Sequence, residues 1–181
     1  MNEFEAYDYA VKQKKTPAVR LGRILLVVGY VLFAVVMMIL GAVTRLGAPV
    51  VALTPFALAL IIFFTWRYTS VEFECAFTSG EVTVSKIYGG RSRHELVTFR
   101  LRDCTLIAPI TDRMATDKAA LFRPHDIYHA LSSADAPDAY FAAFEREDGT
   151  RGLVYFEVTQ KALRICHFYN AAATTLTKVS K

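Results

Sequence analysis

The chain has 181 residues, 54% of them apolar and 21% charged, with a formal net charge of +4. The apolar share lies above the roughly 45–50% usual for soluble proteins, and thirteen Phe and nine Tyr exclude a disordered chain. Its cysteines, Cys75, Cys104 and Cys166, are too far apart in sequence for a disulfide scaffold or a paired-cysteine zinc or redox motif.

Residues 1–22 read as a basic cytoplasmic tail. Phe4, Tyr7 and Val11 stand near helical spacing, so a short interfacial helix ended at Thr16-Pro17 is an alternative, but Asp8 interrupts its apolar face. Two uncharged runs follow, 24–44 and 46–66, bounded by Arg23, Arg45 and Arg67. Each has the length of about 20 helical residues that a bilayer core requires, and each is dominated by Leu, Ile, Val and Phe. Residues 23–67 are therefore expected to form a two-span transmembrane hairpin, turning at Thr44-Arg45-Leu46-Gly47. Pro55 removes a backbone donor within the second span, and Trp66 and Tyr68 suit an aromatic belt at its end.

The basic residues Lys12, Lys14, Lys15, Arg20 and Arg23 precede the first span, Arg67 closes the second, and only Arg45 lies in the turn. This asymmetry predicts a multi-pass plasma-membrane protein with both termini cytoplasmic. The three thiols would then sit in a reducing compartment. Residues 1–67 carry seven Lys or Arg against three Asp or Glu, whereas 68–181 carry fourteen of each. The surplus charge is juxtamembrane, which points to anionic lipid and away from nucleic acid.

From residue 68 the period changes to alternation. Val71, Phe73, Cys75 and Phe77 form one strand, and Val82 and Val84 a second after the turn Ser79-Gly80. Gly89-Gly90 leads into a third strand through Val97, Phe99 and Leu101, and a fourth runs through Cys104, Leu106, Ala108 and Ile110. A short helix capped by Thr111-Asp112 is expected before Pro124, then a fifth strand through Ile127, His129 and Leu131. Two more strands flank Asp148-Gly149. Ala162, Ile165, Cys166, Tyr169, Ala172, Ala173 and Leu176 then share one face of a helix expected over 161–177, capped by Thr159.

The fold expected for 68–181 is thus mainly β: about seven antiparallel strands in a barrel or sandwich, with a C-terminal helix covering the open end. This order, together with the two-span hairpin, resembles a family of small uncharacterised membrane proteins of Gram-positive bacteria with a PH-like cytoplasmic domain. The resemblance rests on Val71-Glu72-Phe73-Glu74-Cys75, Ser79-Gly80-Glu81-Val82, Lys86-Ile87-Tyr88, Arg91-Ser92-Arg93 and Ala108-Pro109, and it spans residues 20–170. It implies a PH-like fold and no established activity.

The sequence names no convergent acid, base and nucleophile, and no phosphate-loop or dinucleotide motif. His125 and His129 lack the partners of a metal site, and Cys166 and His167 diverge on their helix, so neither a cofactor nor a metal is expected. Lys86, Arg91, Arg93 and His94 gather around Gly89-Gly90 as a candidate lipid or anion contact. The reading is a non-enzymatic, membrane-anchored binding or scaffold module, with lipid and an unidentified protein as partners. A membrane enzyme with an unrecognised site and a structural subunit of a larger complex are the alternatives.

Overall fold

The computed structural model describes residues 6–14, 17–44 and 47–179. The chain divides into two compact units: Lys14–Val71 with Tyr88–Arg91, and Met1–Gln13 with Glu72–Ile87 and Ser92–Lys181.

The first unit is built on two helices, α1 (Pro17–Val43) and α2 (Gly47–Trp66), followed by a 3-10 turn, Arg67–Thr69. Pro17 opens α1 and does not end an earlier helix, because its fixed φ and missing N–H suit the first helical position. Both helices are long and apolar enough to cross a membrane. Where they meet at the turn they leave no room for side chains. A Cβ on Gly41 would come within 2.8 Å of Val51 Cγ2, and one on Gly47 would run into the Gly41 carbonyl oxygen. Tyr30 and Thr65 hydrogen-bond through their hydroxyls from one helix to the other. Thr54 returns its hydroxyl to Val50 O at 2.8 Å, just before Pro55. Phe4, Lys15, Thr16, Arg45 and Leu46 lie outside the described residues.

The second unit is a sandwich. One sheet has the order β1-β2-β3-β4, with β1 (Ala6–Lys12), β2 (Val71–Thr78), β3 (Glu81–Tyr88) and β4 (Ser92–Arg100). The other has the order β5-β7-β8-β6, with β5 (Cys104–Pro109), β6 (Asp126–Ala130), β7 (Ala139–Glu145) and β8 (Arg151–Glu157). Helix α3 (Arg113–Phe122) precedes β6, and α4 (Gln160–Tyr169) follows β8. Alternation puts Phe73, Cys75, Phe77, Val82, Val84, Val97 and Phe99 into the core. Across it Phe99 stacks on Phe144, centroids 4.7 Å apart and rings within 10° of parallel. Two sheets facing one another bury these rings without a closed barrel.

Four expectations need correction. Residues 6–12, read within a basic tail, are a strand paired with β2 in the register Tyr7↔Phe77, Tyr9↔Cys75 and Val11↔Phe73. Tyr7, Tyr9 and Val11 have period two as well as near-helical spacing, and the sheet decides between them. Among the described residues the strands therefore number eight, and the two-helix hairpin is inserted between two neighbours in one sheet. They are not all antiparallel either, since β6 pairs with β8 in parallel. The 20 residues separating these strands, 131–150, are helix-free and include β7, and they leave room for a crossover that no hairpin signal foretells.

The C-terminal helix stops at Asn170 and does not run to 177. The Asn170 amide donates to Leu101 O (2.8 Å) and Cys104 O (2.9 Å) and so tethers the chain where the helix ends. Beyond it, Ile107 N donates to Ala173 O and Thr175 N to Ile107 O, so residues 173–175 line the outer side of β5. Finally, Leu106 and Ala108 do not share the inward face with Cys104. A register shift between Cys104 and Leu106 turns Ile107 inward and sends Leu106 and Ala108 to the outer face, beneath α3. There Ala115 and Ala119 pack on Phe141, Ala143 and Leu153. Asp112 caps α3, accepting from Met114 N and Ala115 N, and Thr159 caps α4, accepting from Ala162 N.

Candidate functional site

The basic hairpin is the β3–β4 connection. Gly89 (φ 58°) and Gly90 (φ 68°) both take left-handed conformations, as a two-residue hairpin turn requires. Arg91 N donates to Tyr88 O at 3.2 Å to close it. The four candidate cations are divided by this turn. Arg91 belongs, with the tip Tyr88–Arg91, to the helical unit, while Lys86, Arg93 and His94 belong to the sandwich.

In the sandwich, Arg93 Nε lies 3.3 Å from Glu74 Oε2 and donates to Ser85 Oγ at 3.1 Å. Its charge is thus partly answered within the sheet. Lys86 Nζ sits 5.9 Å from the Phe73 ring centroid. His94 is exposed on β4. Lys12, at the end of β1, lies 3.5 Å from Glu72, its partner in the strand register. Lys14 is exposed.

In the helical unit, Gly89 N donates to Ser70 O at 2.8 Å, and the Tyr88 ring meets Tyr68 edge-on at 5.6 Å. The Arg91 guanidinium stands 5.9 Å over the ring of Phe63, within α2. Arg23, on α1, donates from Nη2 to Thr69 O at 2.5 Å, while its Nε is buried without a hydrogen-bond partner. Arg20 is exposed in the first turn of α1. The side chain of Arg67 lies outside the described residues. One end of the helix pair therefore gathers Arg23, Arg91, Trp66, Tyr68 and Tyr88.

Sequence reasoning treated Arg23 and Arg91 as separate features and did not single out Tyr88. A signal was present. The two-residue turn Ser79-Gly80 fixes the β2–β3 register, which puts Ser70 opposite Gly89 and so brings the hairpin tip to the residues just after α2.

The cysteines lie inside, as expected, with Cys75, Cys104 and Cys166 all buried. Burial pushes the Cys75 and Cys166 thiols up to about 12, and it raises that of Cys104 too. Protonated and enclosed thiols are poor nucleophiles. His129 is exposed and not partly buried. Its ring stacks on Tyr155 at 5.1 Å, within 4° of parallel. Among the described residues no group of three or more His, Cys, Asp or Glu is placed to hold a metal ion. A cleft of about 340 Å³ opens beside Phe99 and Phe144, rimmed by Glu81, Asp103 and Asp148. The ion pair of Arg100 with Glu147, at 2.8 Å, also lies on its rim.

A family model described as "Bacterial PH-like domain (DUF6106)" matches residues 5–174. No curated protein and no solved structure matches the chain.

Proposed function

We propose, on the premise that the chain belongs to this bacterial PH-like domain family, that it is a membrane-anchored, non-catalytic binding module. Its helices cross the plasma membrane as a hairpin and present the PH-like sandwich at the cytoplasmic face. The observation that carries the reading is the outward aim of the apolar side chains: Leu25 and Met38 are 62% exposed, Leu53 63% and Phe56 67%. Helices of a soluble core would bury such residues, whereas lipid is the solvent that suits them. The insertion point supports the same reading. β1 pairs with β2 along its whole length, so Lys12 and Glu72 belong on one side of a bilayer, and two crossings satisfy that. The excess of basic residues before α1 favours the cytoplasm as that side.

The partners proposed for the sandwich are an extended protein segment and the lipid surface beside it. The outer strands β4 and β6 are suited to strand addition, and Lys86, Arg91, Arg93 and His94 are the cations proposed to meet anionic lipid. The test is alkaline carbonate extraction of cell membranes, combined with reporters fused to each terminus in turn. The chain should stay with the membrane and both reporters should report cytoplasm. Release into the soluble fraction, or a signal from outside at either terminus, rules the reading out.

A further inference from the structure

We propose that the end of the helix pair holds the phosphate of a membrane phospholipid between Arg23 and Arg91. The inference rests on the anchoring reading above and names the lipid contact within it. The hairpin tip is fastened to the residues after α2 by the Gly89–Ser70 hydrogen bond and the Tyr68–Tyr88 ring contact. That brings Arg91 over Phe63, which is itself 61% exposed and lies one helical turn before Trp66. At 1.5 Å per residue Phe63 is about 4–5 Å deeper than Trp66. Trp and Tyr settle at headgroup level, so Arg91 lies against the boundary between headgroups and acyl chains.

Neither Arg23 nor Arg91 has a carboxylate partner among the described residues, in contrast to Arg93 with Glu74. Arg23 spends one donor on Thr69 O and keeps a buried Nε with no acceptor. Arg91, at the level of Phe63, needs a counter-charge, as does Arg23 beside Thr69, and the phosphodiester of a lipid is the anion that the bilayer itself supplies at the headgroup boundary. The planar, multiply donating guanidinium suits it better than an ammonium group. The Phe63 ring, with its centroid 5.9 Å from the Arg91 guanidinium carbon, gives the cation an aromatic neighbour but no counter-charge.

The experiment uses the full chain, purified in mild detergent, with retention of phosphatidylglycerol and phosphatidylcholine compared by native mass spectrometry. The parent should retain phosphatidylglycerol preferentially, and added sodium chloride should weaken the retention. Arg23→Gln and Arg91→Gln should each lower it about fivefold, and together by more than tenfold, while Arg164→Gln on α4 leaves it unchanged. Arg91→Lys should recover part of the loss. Equal retention of the two lipids by the parent overturns the proposal without reference to any variant, as does full retention by a folded double variant. Displacement by an equal concentration of inorganic phosphate would assign the site to a free anion and overturn the lipid assignment. A chain released by carbonate sinks the anchoring reading instead, which separates the two failures.

Discussion

The hydroxyl of Tyr9 donates to the carbonyl oxygen of Glu157 at 2.6 Å, tying the first strand of the chain to the end of its last. The Tyr9 ring lies on Phe77, centroids 6.1 Å apart and 18° from parallel. Next to it Tyr7 and Thr159 join through their hydroxyls at 3.0 Å, and Lys161 Nζ stands 4.8 Å from the Tyr7 ring centroid. Tyr9→Phe should cost about 1 kcal/mol of stability, and Tyr9→Ala about 3 kcal/mol, because the second also removes the ring. Thermal unfolding in detergent would measure both, and hydrogen exchange should show β2 amides losing protection in the Ala variant. A free tail would give no change in either experiment.

Much of this architecture was legible because alternation and turn chemistry act locally. Ser79-Gly80 and Asp148-Gly149 form the expected turns, and Gly149 N donates to Arg146 O at 2.9 Å. The features that escaped depend on distant partners. The strand at Tyr7–Val11 exists only because β2, sixty residues on, offers an edge to it. By contrast, β7 is legible from the Asp148-Gly149 turn alone: it is buried along almost its whole length, so no polar alternation marks it, and α3 covers its outer face. The candidate site escaped as the first strand did. Arg23 and Arg91 are far apart in sequence, and only the β2–β3 register combined with the helical hairpin brings them to one end of the unit.

Gly152 and Phe144 supply the second prediction. They are register partners on β8 and β7, and the Phe144 ring covers Gly152 so closely that a Cβ there would overlap it. Phe144 is also held on its other side by Phe99. Gly152→Ala should therefore push the ring out of its stack and destabilise the sandwich by about 1–3 kcal/mol. Gly90→Ala serves as a comparison, since nothing lies within 4 Å of its Cβ and its cost is confined to the backbone at φ 68°. Equal losses in the two melting curves would show that Phe144 yields freely.

The end of α4 supplies the third. Ile165 is 1% exposed and Leu176 51% exposed, although helical periodicity puts them on one face. Ile165→Ala should cost about 2–5 kcal/mol, whereas Leu176→Ala should stay within about 0.5 kcal/mol. Asn170→Ala removes the amide that serves Leu101 O and Cys104 O, and should cost about 2 kcal/mol. Chemical denaturation of the three variants gives the order directly. A large loss for Leu176→Ala would restore the longer helix.

The last prediction concerns alkaline pH. Cys75 and Cys166 are held near 12 against an ordinary value of 9.0, mainly by burial, and Cys104 is raised for the same reason. Burial also raises the hydroxyl of Tyr9, with the neighbouring Cys75 adding to the effect. In the unfolded chain these thiols lose their protons from about pH 8.5 upwards. The folded protein keeps them, so above that pH the unfolded state binds fewer protons and is favoured. The contribution is full below the unfolded value and is lost as pH climbs from about 9 towards 12. Each thiol should add a slope of about 1.4 kcal/mol per pH unit within that window. Melting temperature should accordingly be flat from pH 7 to about 8 and fall steeply between 9 and 11. Cys166→Ala should start lower, because it leaves a small cavity, but fall less steeply by one thiol's share. Comparing slopes and not starting values separates titration from packing. Aryl disulfide reagents at pH 8 should leave all three thiols of the folded chain unlabelled and react with them in denaturant. Rapid labelling of the native protein would mean that one of these thiols is neither buried nor protonated, and the alkaline slope would lose its cause.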